Sequence, residues 1–200
     1  MSVRTPVGVL SFPRVFAPRA ASPGAEPRYS VNLLFDETAQ KTPEFQALRK
    51  AVAQAIDEKF GAGKSTDKEF VSRLRSPFRK CSEKEYAGYK EMSGGVYINA
   101  WSQTKPGVVD ARLQDITVPT DIWAGQLARA TVRAFGYHQS GNMGVSWNLN
   151  NLQICRTDTP RLDGRREASD DFDTFGDTGM AMADDEVPFL LVPGLYRRAA

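Results

Sequence analysis

"GQLARATVRAFGYHQSGNMGVSWNLNNLQIC", Gly125–Cys155, is the stretch whose reading decides the fold. Ala128, Ala130, Val132 and Ala134 alternate with Leu127, Arg129, Thr131, Arg133 and Phe135. That is the period of two of a β-strand, with small apolar residues on one face and cations and a ring on the other. "YHQSGNMG" (Tyr137–Gly144) then supplies Ser-Gly-Asn turn chemistry and returns the chain into "VSWNLNNLQIC" as a hairpin partner.

Working upstream, "GVYINAWS" (Gly95–Ser102) repeats the split, with Val96, Ile98 and Ala100 on one face and Tyr97, Asn99 and Trp101 on the other. "VGVLSFPRVFAP" and "RYSVNLLF", rich in β-branched and aromatic residues, read as two further strands joined by the loop "RAASPGAE". A helix is predicted from Thr42. Thr is a good N-cap, Pro43 suits the first helical position, and Phe45, Leu48, Val52, Ile56 and Phe60 recur at helical spacing before Gly61 stops the run. "TDKE" (Thr66–Glu69) has the spacing of a capping box and predicts a second short helix toward Arg75, ended by Pro77. Several strands, one or two helices and long connections describe a mainly β protein, a small β-barrel with helical insertions.

The chain has 200 residues, of which 41% are hydrophobic, enough for a core without disulfides or metals. Its charge is unevenly placed. Glu167–Phe189 holds eight of the 24 acids and no Lys or Arg, while residues 1–166 hold 24 of the 26 basic residues and 16 acids. The body is therefore about +8 and the segment about −8. Apolar periodicity fades after Arg166, which divides the chain into a domain over 1–166 and an acidic, disordered tail over 167–200. No run approaches the roughly 18 apolar residues of a membrane helix, and "MSVRTPVGVLSFPRVF" is broken by Pro and Arg where a signal peptide has an apolar stretch. A cytoplasmic protein is expected. Cys81 and Cys155 form no CxxC pair, so buried thiols are expected in place of a zinc site.

An enzyme is tested first among the functions. "GAGKS" (Gly61–Ser65) looks like a phosphate loop, but the full pattern needs Gly where Glu58 stands, and the segment follows a helix instead of a strand. His138 is the only histidine and sits beside a turn. Asp110, Asp115 and Asp121 form a magnesium site only if the fold brings them together, since their spacing does not. No cofactor, metal or catalytic residue is expected.

Cations interleaved with rings are the stronger signal. "RLRSPFRKCSEKEYAGYKEMSGGVYINAW" sets Arg75, Arg79, Lys80 and Lys90 among Phe78, Tyr89, Tyr97 and Trp101. A single nucleic-acid strand asks for that combination, because cations neutralise phosphates while flat rings stack on bases. The competing reading puts Phe78 and some of the tyrosines in the core and leaves the cations as a solubilising face. Likewise the Tyr97/Trp101 and Arg129/Arg133 faces either meet a ligand or are covered by the helices. An acidic tail with embedded rings then has two roles open to it, both electrostatic: it occupies the cationic groove when DNA is absent, or it docks another protein.

Taken together, "RYSVNLLFD", "YINAWSQTKPGVVD", "DIWAGQLARATVRAFGY" and "GVSWNLNNLQICR" resemble the OB-fold single-stranded DNA-binding proteins of tailed bacteriophages, a family once classed only as a domain of unknown function. The resemblance covers most of residues 1–156. It implies an OB-fold-like five-stranded β-barrel that coats single strands without strong sequence preference in replication or recombination, in the host cell cytoplasm. Tyr97, Trp101, Lys105, Arg129 and Arg133 carry over as groove candidates, beside Arg75, Phe78, Arg79, Lys80, Tyr89 and Lys90 from the interleaved stretch. The tail candidates are Asp170, Asp171, Phe172, Asp173, Phe175, Asp184, Asp185, Glu186 and Phe189. "DDEVPF" resembles the acidic tips of bacterial single-strand binders, yet those end at the Phe, whereas here "LLVPGLYRRAA" follows. Expected partners are single-stranded DNA and, through the tail, replication or recombination proteins, with a homodimer as a further option and no membrane. The alternatives kept open are a magnesium-dependent nucleic-acid-processing enzyme and a phage structural or assembly protein.

Overall fold

The computed structural model describes residues 2–20, 22–82, 92, 94–139, 141–162 and 171. Its strands and helices lie in a unit spanning Met1–Arg165, and of Arg166–Ala200 only Asp171 is described. In chain order they are β1 (Val3–Arg4), β2 (Gly8–Arg19), β3 (Arg28–Phe35), α1 (Pro43–Phe60), α2 (Lys68–Ser72), β4 (Arg79–Lys80), β5 (Val96–Ser102), β6 (Gly107–Val109), β7 (Leu127–Gln139) and β8 (Asn142–Arg156). The three shortest strands, β1, β4 and β6, were not legible in the sequence. The five long ones stand where the sequence predicts strands.

Those five close on one another. β2 pairs antiparallel with β3, and β3 with β5 along its whole length, from Tyr29 opposite Ser102 to Phe35 opposite Val96. β5 pairs parallel with β8 through Ala100 and Trp101, β8 antiparallel with β7, and β7 returns to β2 at Gly8 and Val9. The expected OB-like architecture is thus present as a ring of strands, not as a regular barrel, because the β5–β8 and β7–β2 seams are short. Gly8 sits on the β7–β2 seam, pressed against β3. A Cβ there would lie 2.5 Å from the Leu34 carbonyl oxygen and 2.7 Å from the Phe35 ring.

The ring bends at β-bulges. β8 has 15 residues against the 13 of β7, and the register slips twice, past Asn150 and past Cys155, so that the extra residues fall on β8. The first slip explains the sequence. Trp147 and Leu149 are buried on one phase, Leu152 and Ile154 on the other, and the Asn150-Asn151 doublet between them faces outward. A second bend lies in β2, between Ser11 and Arg14, where Phe12 adopts φ 45° and is exposed.

Inside the ring lie Ile98, Ala100, Ala128, Ala130 and Val132, which the alternation assigns to one face, together with Val31 and Leu33 of β3. α1 packs against β7 and β1 with Phe45, Leu48, Ala51, Ala55 and Ile56 buried. Its start is as predicted, with the Thr42 hydroxyl accepting the Phe45 N–H at 3.3 Å, and Gly61 ends it at φ 112°. α2 is capped one residue later than predicted, by the Asp67 carboxylate accepting the Phe70 N–H at 3.0 Å, and it ends at Ser72. A relay of rings ties this insertion to the ring of strands. Phe45 meets Phe35 at 5.7 Å and Phe78 at 5.3 Å, and Phe78 meets the fully buried Trp147 at 5.8 Å. The Trp147 indole N–H donates to the Pro77 carbonyl at 3.3 Å.

The "GAGKS" segment has a structural explanation. The Ser65 backbone N–H and hydroxyl each donate to the Asp57 carboxylate at 2.8 Å, so the anion this loop holds is the chain's own. These bonds hold the Asp57 carboxyl below its usual pKa of 3.8; they stabilise the fold above that pH and are lost as the pH falls through the lowered value. After β8, the chain is tied back onto the turn before β7. Leu162 N–H donates to the Ala124 carbonyl at 2.8 Å, and the Arg161 guanidinium lies 4.7 Å from the Trp123 ring centroid. Gly125 permits the approach, since a Cβ there would stand 2.1 Å from the Pro160 oxygen.

Deleting Asn150 removes the bulge and forces one half of the β8 pattern to turn outward. Exposing Leu152 and Ile154 should cost about 4 kcal/mol or more, against under about 1 kcal/mol for Asn150→Ala. Urea denaturation of the two variants checks this, and equal stabilities would overturn the bulge account.

Candidate nucleic-acid interface

Closing the ring sends the second set of alternating residues outward, and on β5, β8 and β7 they meet. Trp101 on β5 stands opposite Asn148 on β8, which stands opposite Arg133 on β7. The Trp101 ring meets Phe135 edge-on, 5.6 Å between centroids and 84° between planes, and its indole N–H donates to the Ser146 hydroxyl at 3.1 Å. Arg28, at the start of β3, lays its guanidinium 3.9 Å from the Trp101 ring centroid. The open groove beside these rings has a volume of about 660 Å³. Lys105 and Arg133 line it, with the amides of Gln103, Asn148, Asn150 and Asn151. Rings for stacking, cations for phosphates and amides for base edges therefore share one surface.

Of the residues singled out in the sequence, Trp101, Lys105 and Arg133 come together here. Arg129 lies on the same face of β7 but outside the groove lining; its Nε donates to Gln153 Oε1 at 2.7 Å, and it lines a separate depression with Arg4 and Asp36. Phe78 is taken up by the ring relay between Phe45 and Trp147. Tyr97 shares the strand face of Trp101, yet it is only 3% exposed, packed with Leu34, Cys81 and Met92. β4 explains the difference: it pairs with β5 at Tyr97 and Val96, and the Cys81 N–H then donates to the Gly95 carbonyl at 3.0 Å. The outer face of β5 is thus covered at its first half and open at its second. Arg79 and Lys80 are exposed on β4, and Arg75 is exposed beside β8, its N–H bonded to the Met143 carbonyl at 2.9 Å, so none of the three lines the groove. Tyr89, Lys90 and the tail candidates other than Asp171 lie outside the described residues.

Sequence reasoning missed Arg28, Phe135 and the four amides as site residues. For the amides on β8 a signal existed, since Ser146, Asn148 and Asn150 alternate with Trp147 and Leu149. Arg28 had none, because it reaches Trp101 only through the β3–β5 pairing.

Of the three aspartates considered for a metal, Asp110 has its carboxylate engaged otherwise and Asp115 is held by its backbone. Asp110 accepts the N–H groups of Arg112 and Gln114 at 2.8 Å each, and Asp115 sits in a bridge with Val109. Among the described residues no three His, Cys, Asp or Glu side chains are grouped to hold a metal ion, and no helix is long and apolar enough to cross a membrane.

A family model described as the ssDNA-binding protein of Enterobacter phage Enc34 matches residues 1–187. Among solved structures, the single-stranded DNA-binding protein of bacteriophage Enc34 in complex with ssDNA superposes with a TM-score of 0.66 at 17% identity, over 80% of this chain and 89% of that one. A further structure of the single-stranded DNA-binding protein from bacteriophage Enc34 gives 0.62 at 19% identity, over 86% and 90%. The gp2.5 single-stranded DNA-binding protein encoded by bacteriophage T7 gives 0.56 at 13%, over 83% and 97%. At such identities the structural likeness is one of fold. Among curated protein sequences none matches the chain.

The burial of Tyr97 has a chemical readout in its neighbour. Burial pushes the Cys81 thiol up to about 11, so the native protein should leave Cys81 unmodified by a thiol reagent at pH 8 and expose it on unfolding in urea. Rapid modification of the native protein at Cys81 would mean that the cluster around Tyr97 is open.

Proposed function

The chain belongs to the phage Enc34 ssDNA-binding protein family, and from that premise we propose that it binds single-stranded DNA without strong sequence preference through the Trp101 groove. Its work is that of a binding protein in phage DNA replication and recombination, not that of an enzyme. The observation that carries the choice of surface is the Trp101–Phe135 pair, lying between the cations Arg28, Lys105 and Arg133 on the outer face of the ring. Successive bases stack on exposed rings whatever their identity, while Lys and Arg track the phosphates. An A-T or G-C duplex keeps its bases stacked on one another and offers the rings nothing.

The acidic segment Glu167–Phe189 complements this surface in sign. As a polyanion on the same chain it competes with DNA for the groove, and Asp170, Asp171, Asp173, Asp184, Asp185 and Glu186 with the rings of Phe172, Phe175 and Phe189 imitate a strand's phosphates and bases. Docking of replication or recombination proteins on the tail, pairing into a homodimer and residence in the host cytoplasm are further parts of this reading.

The decisive experiment is a salt titration of binding to labelled single-stranded and duplex oligonucleotides, for the full chain and for a truncation after Arg166. Single strands should bind far better than duplex, and the truncation tighter still. Failure of both forms to bind at low salt would remove the groove reading. Trp101→Ala should weaken single-strand binding by about 1–3 kcal/mol with the fold intact by circular dichroism. Lys105→Ala combined with Arg133→Ala should reduce the slope of log K against log salt by about 1.4, two single-strand phosphate contacts, whereas Arg129→Ala leaves the slope unchanged. A slope that moves only with Arg129 would shift the groove to the other end of β7.

A further inference from the structure

We propose that Arg28 holds the place of a base on Trp101 in the free protein, and that a bound strand transfers its guanidinium from the ring to a phosphate. The inference rests on the single-strand reading above and concerns how that site selects its ligand. The Arg28 guanidinium carbon stands 3.9 Å from the Trp101 ring centroid, the spacing at which a planar base would stack. The ring beneath is fixed for such a partner, its N–H on Ser146 and the Phe135 ring against it edge-on.

Arg28 is poorly provided for elsewhere. Its cross-strand neighbour is Arg19, and like charges directly opposite in a ladder repel. The ion pairs among the described residues join Lys64 to Asp67, Arg73 to Glu69 and Arg156 to Asp158, and none includes Arg28. A ring satisfies the flat face of a guanidinium and leaves its five N–H donors at the edge for another acceptor. A phosphate beside a base supplies that acceptor at the moment the base takes the ring. A free nucleoside supplies the base alone, and free phosphate the anion alone. A base and a phosphate joined in one nucleotide unit exchange both partners at once, so the contact favours a phosphate-bearing strand over free nucleosides and couples stacking to charge neutralisation.

The test follows the Arg28 side chain directly. In the full chain labelled with nitrogen-15 arginine, the Arg28 Nε–H resonance, identified by its loss in Arg28→Lys, should be displaced upfield by the Trp101 ring current and revert in Trp101→Leu. Saturation with an oligothymidylate strand should abolish the displacement, while thymidine alone should leave it. Arg28→Ala should lower the salt slope of oligothymidylate binding by about 0.7, one single-strand phosphate contact. At high salt, where phosphate contacts fade, it should bind at least as tightly as the unaltered protein, because its ring is already bare. A displacement that persists in the saturated complex, or an unchanged salt slope, would overturn the role of Arg28 while leaving the groove in place. Absence of oligothymidylate binding by the unaltered protein at any salt would overturn the proposal and the single-strand reading together.

Discussion

A ring of five strands encloses the main core, and the need to fill that interior with side chains constrains the rest of the molecule. Strand alternation sends every second residue inward, where the small Ala100, Ala128 and Ala130 leave room for Leu33, Ile98 and Leu149. Trp147 is accommodated at the level where Phe78 and the helix α1 meet the ring. Whatever the interior cannot hold is displaced to the outer surface. Cations, amides and rings accumulate there, and they become a site only on the portion of that surface which no insertion covers.

The alternation was legible because it is local. Gly125–Cys155 and Gly95–Ser102 announce both their strands and their faces, and the cap and stop of α1 are written in Thr42, Pro43 and Gly61. The outward placement of Trp101 and Arg133 could be read in advance for the same reason, whereas Lys105 came only with the family resemblance. What the residues do not carry is which stretch of an outer face another segment will cover. Tyr97 and Trp101 have the same parity on the same strand, and only the pairing of β4 separates a buried phenol from an open indole.

Long-range pairing accounts for the other differences. Arg28 and Trp101 are far apart in the chain and become neighbours because β3 and β5 run antiparallel in one register. Phe78 looked like one ring in a cationic run, but Phe45 and Trp147 claim it from either side. The phosphate-loop fragment after α1 is a case of right chemistry with an internal ligand, since its N–H groups do bind an anion and Asp57 supplies it. Bulges were hidden in plain view. The doublet Asn150-Asn151 breaks the phase of an otherwise regular strand, and the break is what lets β8 serve β7 on one side and β5 and β6 on the other.

The short fastening after β8 bears on how the molecule withstands traction. With Leu162 bonded to Ala124, Arg161 over Trp123 and the Pro160 carbonyl seated against Gly125, a pull on the chain beyond Leu162 is met first by that fastening. The ladder between β7 and β8 lies behind it, shielded as cable insulation is shielded by a strain relief at the plug. Tension on the chain past Leu162 therefore falls on these few local contacts before it reaches the strands.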